Sequence, residues 1–220
     1  MPLFPIFLKL AGRRCLIVGA GNIAESKISS LLHAQAELTV VAPEALDSIS
    51  RQAQAGRFRW EQRTFSPEDL DGIFLVVTAT SSPEVNRQVF TLASERGILC
   101  NAVDDPPNCD FYFPSVVERG SLQIAISTAG ESPALAQRLR KEIDSQLAPD
   151  TGIWLGHLGE LRREVLQEYP PSEERKLLLH ELASLPLCQL PNCPARQLAH
   201  AAAQNPSGDT SSDIPRRSNL

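Results

Sequence analysis

Residues Cys15–Ala24, Cys-Leu-Ile-Val-Gly-Ala-Gly-Asn-Ile-Ala, decide the fold of this 220-residue chain. Their four leading apolar residues predict a strand buried on both faces. The strand leads into Gly19-x-Gly21-x-x-Ala24, and the amphipathic segment 22–33 then predicts a helix. Gly19 permits a tight turn, Gly21 has no Cβ to keep a pyrophosphate away, and Ala24 lets helix and strand pack closely. Because a helix N-terminus also attracts anions, the segment predicts dinucleotide binding rather than a purely structural turn.

The composition is typical of a globular protein, with 42% hydrophobic and 21% charged residues. No apolar run approaches the roughly 20 residues that span a bilayer, so we predict no membrane partner. Residues 1–10 are apolar but lack the basic start and cleavage site of a secretory signal, so we expect no signal peptide. The net charge of −5 argues against nonspecific nucleic-acid binding.

The five cysteines predict a reducing compartment, the cytoplasm. Cys15 and Cys100 lie within apolar strand patterns, where a free thiol behaves as a small hydrophobic group. Cys188 and Cys193, near His200, have a spacing at the wide end for structural zinc, and a fourth ligand is not apparent. We therefore predict no metal site.

Apolar strands alternate with helical patterns as far as residue 104. Further strands are predicted at 37–41, 58–64, 73–78 and 98–103, and further helices at 46–55 and 83–96. This alternation predicts an α/β fold, a Rossmann-like doubly wound parallel sheet with right-handed crossovers. Beyond it, two strands joined at 119–121 are predicted within 110–127, and helices over 133–147, 154–169 and 173–185.

The change of pattern predicts four regions. They are an NAD-binding Rossmann domain at 1–104, a small α+β dimerisation and substrate region at 105–148, a helical C-terminal domain at 149–185, and a disordered tail at 186–220. Two strands alone are barely stable in water, so the strand pair must pack on something else. A second copy of the chain is the simplest candidate, which predicts a homodimer.

Ligands of a doubly wound sheet bind beyond the carboxyl ends of its strands. Glu44 lies about 20 residues after the glycine turn, where a carboxylate can accept hydrogen bonds from ribose hydroxyls and disfavour a 2′-phosphate. The alternative is that Glu44 is an exposed loop residue without a ligand. The loop 78–81 is suited to lie against a nicotinamide or ribose, although such residues also form ordinary turns. The predicted cofactor-binding residues are Gly19, Gly21, Asn22, Ile23, Ala24, Pro43, Glu44, Thr78, Ala79 and Thr80.

Two adjacent carboxylates follow the last predicted strand of the sheet. A carboxylate held near a partly apolar cleft can act as a proton acceptor, and we predict that role for Asp104. Asp105 is assigned to the turn before two prolines. A polar turn with no catalytic role is the alternative for both aspartates.

The loop 127–133 is made of small residues and opens a helix, so its N–H groups are suited to hold a substrate carboxylate. Ser132 as a plain helix N-cap explains part of this pattern without a ligand. The residues predicted to contact substrate are Asn101, Arg119, Thr128, Gly130 and Ser132.

Taken together, these segments resemble the precorrin-2 dehydrogenase family, which includes the amino-terminal dehydrogenase and chelatase part of siroheme synthase. The resemblance implies a homodimer whose strands at 111–127 interlock, and NAD-dependent oxidation of precorrin-2 to sirohydrochlorin. Asp104 matches the essential aspartate of the family. The matching pieces, in the family's order, are Leu3–Leu8, Cys15–Ala24 with Lys27, Val40–Pro43, Ala79–Thr80, Asn101–Asp104, Phe111–Ser115, Arg119–Gly120 and Ile124–Arg140.

The chain departs from the family pattern at a few positions. Thr128 stands where siroheme synthases have a serine, Ala20 and Ala129 stand where glycines are usual, and Glu25-Ser26 replaces the more usual arginine before Lys27. Because Ala20 adds a single methyl group, we expect the turn to tolerate it.

Two other functions stay open from the sequence. One is a bifunctional dehydrogenase and sirohydrochlorin ferrochelatase, because chelation in this family needs no recognisable metal motif. The other is a non-catalytic NAD-sensing module, which explains the glycine turn but not Asp104 followed by the two-strand region.

Overall fold

The computed structural model describes residues 3–184, and a parallel five-stranded sheet dominates its first half. The strand order is β3-β2-β1-β4-β5, and every neighbouring pair is parallel. The strands are β1 (Arg14–Val18), β2 (Glu37–Val41), β3 (Arg59–Glu61), β4 (Leu75–Thr78) and β5 (Leu99–Ala102), and the helices between them are α1 (Asn22–His33), α2 (Asp47–Gln54) and α3 (Pro83–Glu95). The predicted Rossmann-like doubly wound sheet is confirmed.

The central strands are apolar along their whole length because both faces of the sheet are covered. In β1, Cys15 and Ile17 pack in one core cluster, and Leu16 and Val18 pack in another. The first cluster includes side chains of α1 and α2, and the second includes side chains of α3. Successive side chains of a strand point to opposite faces, so one strand supplies both layers.

The structure corrects the prediction at residues 110–114, which do not form a strand. Asp110 is tied to β5 instead, because its N–H donates to the Cys100 carbonyl and its Oδ2 accepts from the Cys100 N–H at 2.9 Å. Pro114, which lacks a backbone donor, then precedes strand β6 (Ser115–Arg119). The predicted strand 58–64 is shorter than expected, with three residues at the edge of the sheet.

The strands β6 and β7 (Leu122–Ile126) form an antiparallel pair that packs with two helices, α4 (Pro133–Gln146) and α5 (Thr151–Glu168). A third helix, α6 (Glu173–Ser184), packs against α5. Arg119 at the end of β6 forms an ion pair of 2.8 Å with Asp144 of α4. Gly152 of α5 lies against the β6–β7 turn so closely that a Cβ there would be 2.6 Å from the Arg119 carbonyl carbon.

The described residues divide into two compact units. The first contains the parallel sheet, residues up to 113, and the segment 127–132; the second contains 114–126 and the residues from 133 onward. The four predicted domains stay a prediction. Among residues 3–184, the structure contains no helix long and apolar enough to cross a membrane. Cys188, Cys193, His200 and the predicted tail 186–220 lie outside the described residues.

Candidate dinucleotide-binding and catalytic site

The carboxyl ends of four parallel strands lie level with one another. Val18 at the end of β1 is in register with Val41 of β2 and with Thr78 of β4, and Thr78 is in register with Ala102 of β5. The residues that follow each strand therefore leave the sheet along one edge. This edge brings together the glycine turn, the loop after β2, the loop after β4 and Asp104.

Gly19 is the point where the chain turns sharply from β1 toward α1. Its φ is +106°, and a Cβ there would lie 2.8 Å from the carbonyl carbon of Ala79 and closer still to the oxygen. The turn is fixed by backbone hydrogen bonds, because Gly19 N–H donates to the Val41 carbonyl and Ala79 N–H donates to the Val18 carbonyl. Only glycine fits this position.

Gly21 is surrounded by open space. It is the N-cap of α1 in an extended conformation, and a Cβ there would meet no heavy atom within 4 Å. The first intrahelical bond is donated by Glu25 N–H to the Gly21 carbonyl, so the N–H groups of residues 22–24 precede it. Ala20 and Ala24 are buried in the core cluster beneath the turn.

These features fit a bound dinucleotide. An open backbone at Gly21 and unused N–H groups at the start of α1 are what a pyrophosphate requires, and a Cβ at Gly21 would occupy the cradle. Asn22 and Ile23, both predicted to bind the cofactor, are exposed in the first turn of the helix.

The loop after β4 is organised by Asn86, a residue that the sequence reasoning missed. The Asn86 side chain is 9% exposed, and its Oδ1 accepts from the Thr78 hydroxyl at 2.6 Å and from the Thr80 N–H at 3.2 Å. Its Nδ2 donates to the Thr80 carbonyl. The signal available in the sequence was a polar residue on the helix face that also carries Val89 and Ala93.

These bonds give Thr78 a structural role. Its hydroxyl is fully buried and committed to Asn86, so within this structure Thr78 supports the loop. Ala79 and Thr80 are half-buried at the edge of the sheet. The predicted cofactor contacts of all three residues stay predictions.

The loop after β2 is tied to the glycine turn. Leu46 N–H donates to the Ala20 carbonyl at 3.1 Å, which brings the loop across the turn. Pro43 and Glu44 are exposed in that loop. Glu44 is therefore on the same edge of the sheet as the open turn at Gly21, and its predicted contact with a ribose stays a prediction.

Asp104 is exposed two residues beyond β5, in a turn that holds it in a left-handed conformation. Its φ is +60°, Asp105 N–H donates to the Ala102 carbonyl, and Val103 N–H donates to the Thr78 carbonyl. Asp105 accepts from the Asn108 side chain at 2.7 Å, which agrees with its assignment to the turn. Non-glycine residues with positive φ are uncommon, and aspartate tolerates this conformation better than most.

Asn101 fixes the segment that carries two aromatic residues, Phe111 and Phe113. Its side chain is 6% exposed, and Nδ2 donates to the Phe111 carbonyl at 2.7 Å. The Phe111 and Phe113 rings pack with their centres 5.5 Å apart and their planes tilted by 59°. The ammonium group of Lys27 lies 3.9 Å from the centre of the Phe113 ring. Asn101 thus has a structural role, and its predicted contact with substrate stays a prediction.

The loop 127–132 is folded on itself. Ser132 N–H donates to the Thr128 hydroxyl at 3.2 Å, Glu131 N–H donates to the Thr128 carbonyl, and Ala129 N–H donates to the Ser127 hydroxyl. Ala129 and Gly130 have φ values of +53° and +87°. Position 129, where the family usually has a glycine, thus carries an alanine in a left-handed conformation. Three of the N–H groups proposed for a substrate carboxylate already have acceptors within the loop.

Arg119 belongs to the second unit. Its guanidinium group pairs with Asp144 and donates to the Glu118 carbonyl at 2.9 Å, so it joins β6 to α4. The predicted substrate contacts of Arg119, Thr128, Gly130 and Ser132 stay predictions. Over residues 3–184, no group of three or more His, Cys, Asp or Glu side chains is arranged to hold a metal ion.

Comparisons with known proteins agree with this geometry. A family model described as "Putative NAD(P)-binding" matches residues 6–115, and one described as "Sirohaem biosynthesis protein central" matches residues 119–146. Siroheme synthase of Photorhabdus laumondii is 42% identical over 176 residues, which is 80% of this chain and 37% of that protein. Siroheme synthase of Methylobacillus flagellatus is 38% identical over 182 residues, 83% of this chain and 39% of that protein. The chain thus spans little more than a third of the length of these relatives.

Among solved structures, "SirC, precorrin-2 dehydrogenase" superposes with a TM-score of 0.72 at 26% identity, covering 92% of this chain and all of that one. Strand order, glycine turn and family match together define an NAD(P)-binding protein with a Rossmann-like fold. The chain belongs to the precorrin-2 dehydrogenase family, the family that includes the amino-terminal part of siroheme synthase. The predicted family and its NAD(P)-type cofactor are confirmed.

Proposed function

We propose that the chain catalyses the NAD-dependent dehydrogenation of precorrin-2 to sirohydrochlorin, a step of sirohaem synthesis. The observation that carries the proposal is the position of Asp104, an exposed carboxylate at the same sheet edge as the open turn at Gly21. A sensing module needs the turn but not a carboxylate beside it. The alignment with siroheme synthases and the similarity to a precorrin-2 dehydrogenase support the same reaction.

The reaction removes two hydrogens from the substrate, one as a hydride and one as a proton. Bound NAD⁺ supplies the hydride acceptor. Gly21 and the first N–H groups of α1 would hold the pyrophosphate. Glu44 would accept hydrogen bonds from the ribose hydroxyls. This contact favours NAD over NADP, because the 2′-phosphate of NADP would meet the Glu44 carboxylate. The Asp104 carboxylate accepts the proton on one of its oxygens.

The test is anaerobic incubation of the protein with precorrin-2 and NAD⁺, with sirohydrochlorin followed by absorbance. Asp104→Asn is the sharpest variant, because asparagine keeps the shape and tolerates the left-handed conformation while it removes the proton acceptor. We expect NAD⁺ affinity within twofold of wild type and a loss of at least 100-fold in turnover, in the range of general-base catalysis. Asp105→Asn makes the same charge change at the neighbouring position and should retain activity.

Wild-type protein that binds NAD⁺ but gives no sirohydrochlorin would favour the sensing module. Full turnover by Asp104→Asn would remove Asp104 from the mechanism. The same samples, supplied with sirohydrochlorin and Fe²⁺, measure the ferrochelatase activity of the bifunctional alternative.

We propose further that the chain acts as a homodimer in the cytoplasm. The strand pair β6–β7 forms a sheet of its own, and both Val116 and its cross-strand partner Ala125 are exposed. A reducing compartment is supported by free thiols at Cys15, Cys100 and Cys109.

A further inference from the structure

The turn that carries Asp104 holds an unfavourable backbone conformation. Asp104 has a φ of +60°, in a region that few residues other than glycine adopt. The turn is closed by the Asp105 N–H, which donates to the Ala102 carbonyl at 3.1 Å. A residue in such a conformation keeps it only where the surrounding structure fixes it. The groups that fix this turn therefore decide where the Asp104 carboxylate lies.

The Cys109 side chain contacts both ends of this turn. Its thiol donates to the Ala102 carbonyl, with the sulfur 3.0 Å from the oxygen, and the same sulfur lies 3.4 Å from the Asp105 carbonyl oxygen. The Asn101 amide in turn donates to the sulfur at 3.4 Å. The thiol thus bridges two main-chain carbonyl groups, one on either side of Asp104.

Cys109 is itself held against β5, so its thiol acts from a fixed position. Cys109 forms an isolated antiparallel bridge with Asn101. The next residue, Asp110, donates its N–H to the Cys100 carbonyl at 2.8 Å and accepts from the Cys100 N–H at 2.9 Å. Cys109 is half-buried, and burial raises the pKa of its thiol, so the sulfur keeps the proton that it donates.

We infer that Cys109 is a positioning residue for Asp104: its thiol holds the turn 102–105 in the conformation that presents the Asp104 carboxylate at the edge of the sheet. This inference rests on the proposed dehydrogenase function. A thiol is a weak donor, but a small misplacement of a catalytic group lowers the rate of reaction far more than it lowers binding. The loss of this contact should therefore appear in kcat.

The test compares Cys109→Ala, which removes the donor, with Cys109→Ser, which replaces the thiol by a hydroxyl donor. Cys15→Ala removes a fully buried thiol from β1 of the same unit and is the control. Turnover of precorrin-2 and NAD⁺ is measured at a temperature where every variant is folded by circular dichroism. We expect Cys109→Ala to lower kcat at least tenfold, with KM and NAD⁺ affinity within twofold of wild type. Cys109→Ser should recover most of that loss, and Cys15→Ala should match wild type.

Amide hydrogen exchange, followed by NMR, reports on the turn independently of activity. The Asp105 N–H, whose bond closes the turn, should exchange at least tenfold faster in Cys109→Ala than in wild type. The Gly19 N–H donates to the Val41 carbonyl at the same edge of the sheet and should keep its wild-type rate. This comparison separates a local opening of the turn from a general loosening of the site.

Each outcome has a distinct meaning. Wild-type kcat in Cys109→Ala overturns the inference and leaves the dehydrogenase proposal intact, and so does an unchanged exchange rate at Asp105. A fall in kcat that serine does not recover, or that comes with an equal loss of NAD⁺ affinity, also overturns the inference, because it indicates lost packing. Absence of turnover in the wild type removes the dehydrogenase proposal, and the positioning role falls with it.

Discussion

At the residue scale, Gly19 and Gly21 differ in what surrounds their α-carbons. Gly19 has a positive φ and the Ala79 backbone against it, whereas Gly21 has an extended backbone and open space. We therefore expect the first glycine to be required for folding and the second for the proposed cofactor binding. Substitution with alanine should therefore separate folding from binding.

We expect Gly19→Ala to lower the free energy of unfolding by at least about 2 kcal/mol, because the new methyl group meets backbone that cannot move aside. Gly21→Ala should change stability by less than about 1 kcal/mol and weaken NAD⁺ binding at least tenfold. Urea unfolding and calorimetric titration measure the two effects. Gly97→Ala, with a φ of +67° and no neighbour within 4 Å, controls for the cost of the left-handed conformation alone. Equal destabilisation by Gly19→Ala and Gly97→Ala would contradict the steric argument.

Single residues also show where sequence reasoning succeeds. The residue type itself indicates the local structure at Gly19, Gly21 and Ala24 and along the apolar residues of β1. The predicted bounds of α1 and β2 match the structure. Asn86 and Lys27 carry no such signal, because the partners of each side chain lie outside its own helix. Asn86 bonds to the loop after β4, and Lys27 meets Phe113, which is 86 positions away in the chain.

At the scale of elements, the least predictable segments are those fixed by side chains. The segment 110–114 has strand-like residues, but Asn101 and Asp110 hold it against β5 without a continuous ladder. The short 3-10 helix Pro67–Leu70 is a second case. Asp69 within it receives two hydrogen bonds from the Arg63 guanidinium group, at 2.6 and 2.9 Å, and one from the Ser66 N–H.

This capping arrangement predicts a dependence of stability on pH. The hydrogen bonds from Arg63 hold the pKa of Asp69 below the ordinary value of an aspartate. A carboxyl group with a depressed pKa stabilises the fold above its unfolded pKa, and the contribution is lost as pH falls through the folded value. We expect Asp69→Asn to reduce the free energy of unfolding by about 1–2 kcal/mol at pH 7.

The difference between wild type and Asp69→Asn should shrink as the pH is lowered below about 4. Urea unfolding at a series of pH values measures it. Glu95→Gln, at the exposed end of α3, removes a carboxylate from the same unit and should change stability little. A constant difference between Asp69→Asn and wild type across the pH range would contradict the linkage argument.

At the scale of the whole molecule, the second unit leaves apolar surface exposed. Val117 of β6 is buried at 2%, whereas Val116 on the opposite face is 40% exposed and lies across from Ala125. One face of the strand pair thus packs within the unit, and the other is free to meet a second chain. This division is what a homodimer built through these strands requires.

We expect the wild-type chain to sediment as a dimer and Val116→Glu to raise the dissociation constant at least tenfold, because a carboxylate would be buried at the interface. Analytical ultracentrifugation over a concentration series measures both. Leu177→Glu places the same charge on another exposed apolar residue of this unit, in α6, and should leave the dimer unchanged. A monomeric wild type, or a Val116→Glu dimer of unaltered strength, would contradict this arrangement.

The main-chain bonds around Gly19 have a practical consequence for protein engineering. The Ala20 carbonyl accepts from the Leu46 N–H, so the loop after β2 keeps this main-chain anchor whatever side chains residues 43–45 carry. We therefore expect exchange of residues 43–45 to alter nucleotide preference, since Glu44 is the residue proposed to bind the ribose. The Asp104 carboxylate, which follows a different strand, would be left untouched.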